Sequence, residues 1–61
     1  MSTIDEDLSK AQHSADLCFG ELLDAALKSS KNEGDIIMAM AMRAAKLWRQ
    51  IDALIEKRAA K

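Results

Sequence analysis

The residues able to do chemistry are few, and their spacing argues against catalysis. There is one histidine, His13, and one cysteine, Cys18, among 61 residues. A histidine working as general acid or base needs a pocket and an oriented partner. His13 falls on the polar side of a helical wheel, about 180° from Ile4 at 100° per residue, and Asp16 three residues on makes an ordinary surface pair with it. Cys18 falls in an apolar seam, where a thiol behaves as a small hydrophobe. A nucleophilic thiol needs a neighbouring base or a helix N-terminus, and a mid-helix position supplies neither. Asp5, Glu6 and Asp7 are consecutive and point around a helix in different directions, without the Asp-x-Asp-x-Asp-Gly spacing of a calcium loop. The pair Glu33-Gly34 is too little for a phosphate-binding loop, which needs several glycines and a lysine. The expectation is a protein that is not an enzyme, with no catalytic residues, no cofactor and no metal.

The elements that carry these residues read as two helices. Ile4, Leu8, Ala11, Ala15, Cys18, Leu22 and Ala25 recur at spacings of 4 and 3, the heptad pattern of an apolar seam, with Phe19 and Leu23 widening it. Thr3 followed by Glu6 fits a capping box, and the three acids load the first turn where the helix dipole favours them. In the second half Ile37, Met40, Ala44, Leu47, Ile51 and Leu54 repeat in the same way, and Ala41, Trp48, Ile55 and Ala59 form a second row beside them. Asp35 suits an N-cap, and Asn32 or Gly34 suits the left-handed residue that ends a helix. This predicts one domain over residues 1–61: helix 1 at about 4–30, a turn at about 31–34 and helix 2 at about 35–60. An antiparallel hairpin with that turn pairs positions summing to about 65–66. Ala15 then lies near Ile51 and Cys18 near Leu47 and Trp48.

A chain of this size buries only about 60% of its unfolded surface, and small domains usually add disulfides, a metal or a partner chain. One cysteine excludes an intrachain disulfide, and the lack of a Cys/His cluster excludes structural zinc. No apolar run reaches the ~18 residues of a membrane span. The acidic N-terminus is unlike a signal peptide, and an unpaired cysteine suits a reducing compartment, so the expected location is cytoplasmic. The apolar arc of helix 2 is wider than one neighbouring helix covers. The expected fold is therefore all-α: an antiparallel hairpin dimerising into a four-helix bundle. Its dimer and core residues are Leu8, Ala15, Cys18, Phe19, Leu22 and Ile37, continued by Met40, Ala44, Leu47, Ile51, Leu54 and Ile55.

Charge is divided between the halves. Residues 1–27 hold Asp5, Glu6, Asp7, Asp16, Glu21 and Asp24 against Lys10, a net of −5. Residues 36–61 hold Arg43, Lys46, Arg49, Lys57, Arg58 and Lys61 against Asp52 and Glu56, a net of +4. An antiparallel hairpin sets the acidic start beside the basic end.

The function these features suit best is that of a small regulatory or adaptor protein acting as a homodimer on a protein partner. Leu17, Met38, Met42 and Trp48 exceed what the hairpin core needs, and methionine and tryptophan suit binding surfaces. A free-standing product of this size resembles phage and plasmid accessory proteins. The alternative is an RNA- or DNA-binding bundle using Arg43, Lys46, Arg49, Lys57 and Lys61. In length and layout, though in no motif, such a bundle resembles the plasmid RNA-binding proteins built as dimers of helical hairpins. The overall net charge of −1 weighs against it, because nucleic-acid binders are usually strongly basic.

Overall fold

The computed structural model describes residues 3–60. Two helices, α1 (Ile4–Lys28) and α2 (Lys31–Ala59), lie side by side as an antiparallel hairpin. At 1.5 Å per residue they span about 37 and 43 Å. The start of α1 is capped as its sequence requires: the Thr3 hydroxyl accepts from the Glu6 backbone N–H at 3.1 Å. At the opposite end of the hairpin from the turn, Arg58 Nε donates to Asp5 Oδ1 at 2.8 Å. The acidic start and basic end therefore do meet, through an exposed ion pair worth at most ~1 kcal/mol.

The turn comes earlier and is shorter than expected. Only Ser29 and Ser30 separate the helices, and residues 31–34 form the first turn of α2. Both serines have extended backbones, and no described residue has a positive φ, so Asn32 and Gly34 take no left-handed conformation. Hydrogen bonding replaces it. The Ser29 N–H donates to the Ala26 carbonyl at 3.2 Å, and the Ser29 hydroxyl donates to the Ala25 carbonyl at 2.6 Å. Two carbonyls near the end of α1 are thereby satisfied. The Ser30 hydroxyl accepts from the Glu33 N–H at 3.3 Å. Ser30, not Asp35, is the N-cap of α2; Asp35 lies inside the helix, exposed. Gly34 lets the helices converge here, since a Cβ on it would sit 3.3 Å from the Ala26 carbonyl oxygen.

The shorter link shifts the register. Gln12 Nε2 donates to Asp52 Oδ1 at 3.1 Å, and with Arg58–Asp5 this fixes facing positions that sum to 63–64 rather than 65–66. Ala15 is then level with Trp48, Phe19 with Ala44 and Ala45, and Leu22 and Leu23 with Ala41. Small still faces large at each level, as packed layers require, but with different partners. Ala15 and Ala41 are the buried residues among those described, 6% and 0% exposed. Leu8, Phe19, Leu22, Ile37, Ala44, Ile51 and Ile55 are half-buried around them.

On both helices the seam is turned from the expected stripe. On α1 it passes through Gln12 and Phe19 instead of Ala11 and Cys18, and Cys18 is exposed. On α2 it runs between the two rows. Met40, Leu47 and Leu54, expected among the dimer and core residues, are 39%, 50% and 45% exposed in the single hairpin. A single partner helix covers only one narrow stripe; on α2 that stripe takes Ile37, Ala44 and Ile51 from the first row and Ala41 and Ile55 from the second.

The Cα atoms fill a plate of 46 × 21 × 10 Å, one helix thick. Globular domains of this length have a radius of gyration near 10.5 Å; here it is 14.2 Å. Most large apolar side chains therefore flank the seam instead of filling a core.

Three substitutions near the backbone test this picture. Gly20 sits mid-helix, and a methyl group added there would meet nothing within 4 Å, so Gly20→Ala should stabilise by ~0.5–1 kcal/mol. Gly34→Ala should gain less or lose, because its methyl meets the Ala26 carbonyl. Ser30→Ala removes the α2 cap and should cost ~1 kcal/mol. Urea unfolding followed by circular dichroism at one fixed protein concentration ranks the three; equal effects of the two glycine substitutions would contradict the close approach at Gly34.

Candidate interaction surfaces

A one-layer hairpin presents two broad faces, one on each side of the seam. Side chains about 90° off the seam on each helix define them, because residues three, four and seven apart share a side of a helix. Antiparallel packing brings matching flanks of α1 and α2 to the same side.

One face is a cleft. Phe19, Ala45 and Trp48 floor an open depression of about 380 Å³, with Asp16 on the α1 lip and Arg49 on the α2 lip. Toward the turn, Leu23, Ala26 and Leu27 of α1 face Gly34 and Met38 of α2 across a second hollow of similar size. Trp48 is 36% exposed and Met38 44%. Phe19 forms the floor because Ala44 and Ala45 stand opposite it and leave its ring unroofed. Leu27, at 86% the most exposed large apolar side chain described, extends the patch.

The other face is a pair of heptad stripes. Ile4, Ala11, Cys18 and Ala25 stand seven residues apart on α1, and Met40, Leu47 and Leu54 stand seven apart on α2. Seven-residue spacing keeps a stripe on one side of a helix. Ile36, 64% exposed, lies beside the start of the α2 stripe.

The residues expected to bind a protein are only partly brought together. Trp48 and Met38 lie on the cleft face. Met42, 69% exposed, lies on its outer edge along α2. Leu17 is on the far side of α1, over a shallow depression with Gly20, Leu23 and Leu27. The basic residues also divide. Arg43, Lys46 and Lys57 are exposed along the outer side of α2, Arg49 lines the cleft, and Lys61 lies outside the described residues. Sequence reasoning missed Asp16, Ala45 and Arg49 as cleft residues. The signal was available in the second row of α2, since Ala45 and Arg49 are the flank of a seam that runs through Ala41 and Trp48.

Among the described residues, no three His, Cys, Asp or Glu side chains cluster as metal ligands, and His13 stands exposed on α1. No described helix is long and apolar enough to cross a membrane. The chain matches no family model, no curated protein and no solved structure.

Proposed function

We propose that this protein is a non-enzymatic regulator or adaptor that works by protein–protein interaction, as a homodimer of hairpins forming a four-helix bundle in the cytoplasm. The observation that carries the reading is the cleft: an apolar floor of Phe19, Ala45 and Trp48 between an acidic and a basic lip. Two side-by-side helices make a groove of the kind that accepts the apolar side of a third helix. The flanking methionines adapt to a partner's shape. Asp16 and Arg49 would fix its direction, since exposed charge pairs contribute more to orientation than to affinity. Dimerisation through the other face would leave this groove open. The unpaired thiol of Cys18 suits a reducing compartment.

The alternative, a nucleic-acid binder, has the exposed line of Arg43, Lys46 and Lys57 in its favour. Against it, Arg49 lines the cleft and Arg58 is paired with Asp5.

Trp48 is the sole tryptophan, so its fluorescence reports on the cleft directly. Binding of a helical partner should shift its emission to the blue. Met42→Glu on the outer edge of the groove and Arg49→Glu on its lip both avoid the seam, and should weaken capture of a partner by about tenfold or more with helicity unchanged. Unaltered capture by both variants would refute the groove. In a gel-shift titration across salt, no RNA or DNA should bind even at low ionic strength. A shift that salt abolishes, and that Arg43→Glu with Lys46→Glu removes, would instead select the nucleic-acid reading.

A further inference from the structure

The surface left bare by a one-layer fold can be measured. Size scaling gives a folded monomer of 6.7 kDa about 3,900 Å² of accessible surface. This chain exposes 4936 Å². The excess, roughly 1,000 Å², is close to the ~800 Å² that each partner buries in an interface of standard size.

We infer that a second copy of this chain covers the heptad face, related by a twofold axis parallel to the helices. Each α1 then lies on the α2 of the other copy, and both serine turns sit at one end of the bundle. The inference rests on the homodimer reading above and specifies its face, partner helix and register.

Size is the first argument. The α1 stripe is small in its middle, at Ala11, Cys18 and Ala25, whereas the α2 stripe is large throughout, at Met40, Leu47 and Leu54. Laid antiparallel, the two match at every step in a single register: Ala11 with Leu54, Cys18 with Leu47 and Ala25 with Met40. These pairs sum to 65, within two residues of the register that the hairpin adopts internally. Large side chains thus enter the spaces above small ones, the arrangement that fills a core without voids.

Charge is the second argument, and it draws on different residues. Just outside the α1 stripe, again seven apart, stand Asp7, Ser14 and Glu21; just outside the α2 stripe stand Arg43, Gln50 and Lys57. All six are exposed in the single chain. The same antiparallel placement opposes Asp7 to Lys57, Ser14 to Gln50 and Glu21 to Arg43. Flanking pairs of this kind set partner and orientation in helical bundles. The other twofold arrangement, with its axis across the helices, would stack α1 on α1 and α2 on α2. It would set acids near acids and bases near bases, and leave the alanine stripes facing each other across a gap. The cleft face offers no comparable fit, because Ser9, Asp16 and Gly20 interrupt it on α1 and Arg49 and Glu56 on α2.

Glu21 and Arg43 lie on opposite outer edges of one hairpin, so any coupling between them must pass between chains. Sedimentation equilibrium at low salt should show a dimer that Glu21→Arg and Arg43→Glu each weaken by roughly tenfold. The double variant should return to within a few-fold of the parent, with far-UV circular dichroism unchanged throughout. In a mixture of isotope-labelled and unlabelled chains, filtered NOEs should join Leu54 methyls of one copy to the Ala11 methyl of the other. Additive losses in the double variant, or filtered contacts from Leu54 to Leu54, would overturn this arrangement while leaving a homodimer standing. A folded monomer at NMR concentrations would overturn the arrangement and the homodimer reading together, without touching the cleft.

Discussion

A link of two serines governs this molecule. With Ser29 and Ser30 alone between the helices, the chain reverses within one turn and the helices can face each other only within a narrow range of registers. A helical hairpin commonly ends its first helix with a left-handed glycine. Here two hydroxyls satisfy the helix ends, one donating backwards to α1 and one accepting forwards from α2. The register follows from that closure. It decides which alanine lies under which large side chain, and so which apolar residues are left facing out. The turn expected at residues 31–34 would have set Cys18 level with Leu47 and Trp48 instead.

The fold class and the two helices were legible because a seven-residue pattern sustained over some 25 residues has few other readings. The turn was misplaced for an identifiable reason. Gly34 and Asp35 carry the strongest generic break signals, and they outweighed a more specific one. Ser30 and Glu33 repeat the spacing of Thr3 and Glu6, and both hydroxyls cap. The seam was harder to read. On α2 two adjacent rows, one residue or about 100° apart on the wheel, are equally apolar, and periodicity cannot rank them. Only the partner helix, through the bulk of Phe19 and the smallness of Ala15, selects Ala41 and Trp48. The cleft was illegible for the same reason: its floor exists because Ala45 faces Phe19, a fact of register rather than of composition.

The division of charge between the helices has consequences at two scales. Within the chain it brings Asp5 to Arg58, a contact that contributes little energy on its own. Across the whole plate it leaves α1 net acidic and α2 net basic. A surface of that kind is poorly suited to a polyanion, since the acidic helix lies directly beside the basic one. It suits partners that are themselves amphipathic and of mixed charge, which is the character of the groove lined by Asp16 and Arg49.

The bond between Gln12 and Asp52 has a meaning beyond its length. A seam that repeats every seven residues looks nearly the same to itself after a slide of seven, and apolar contacts alone cannot tell the two positions apart. Slide α2 by one repeat in either direction and Gln12 meets Ala45 or Ala59, while Asp52 meets Asp5 or Phe19. An amide would then lie against a methyl group, and a carboxylate against a phenyl ring or another carboxylate, each without the partner that a part-buried polar group needs. One polar step therefore penalises the same slid registers that the two-serine link cannot span, the best-attested use of such pairs in helical seams. It works as the notch of a key, adding little to how tightly the helices hold but admitting a single position.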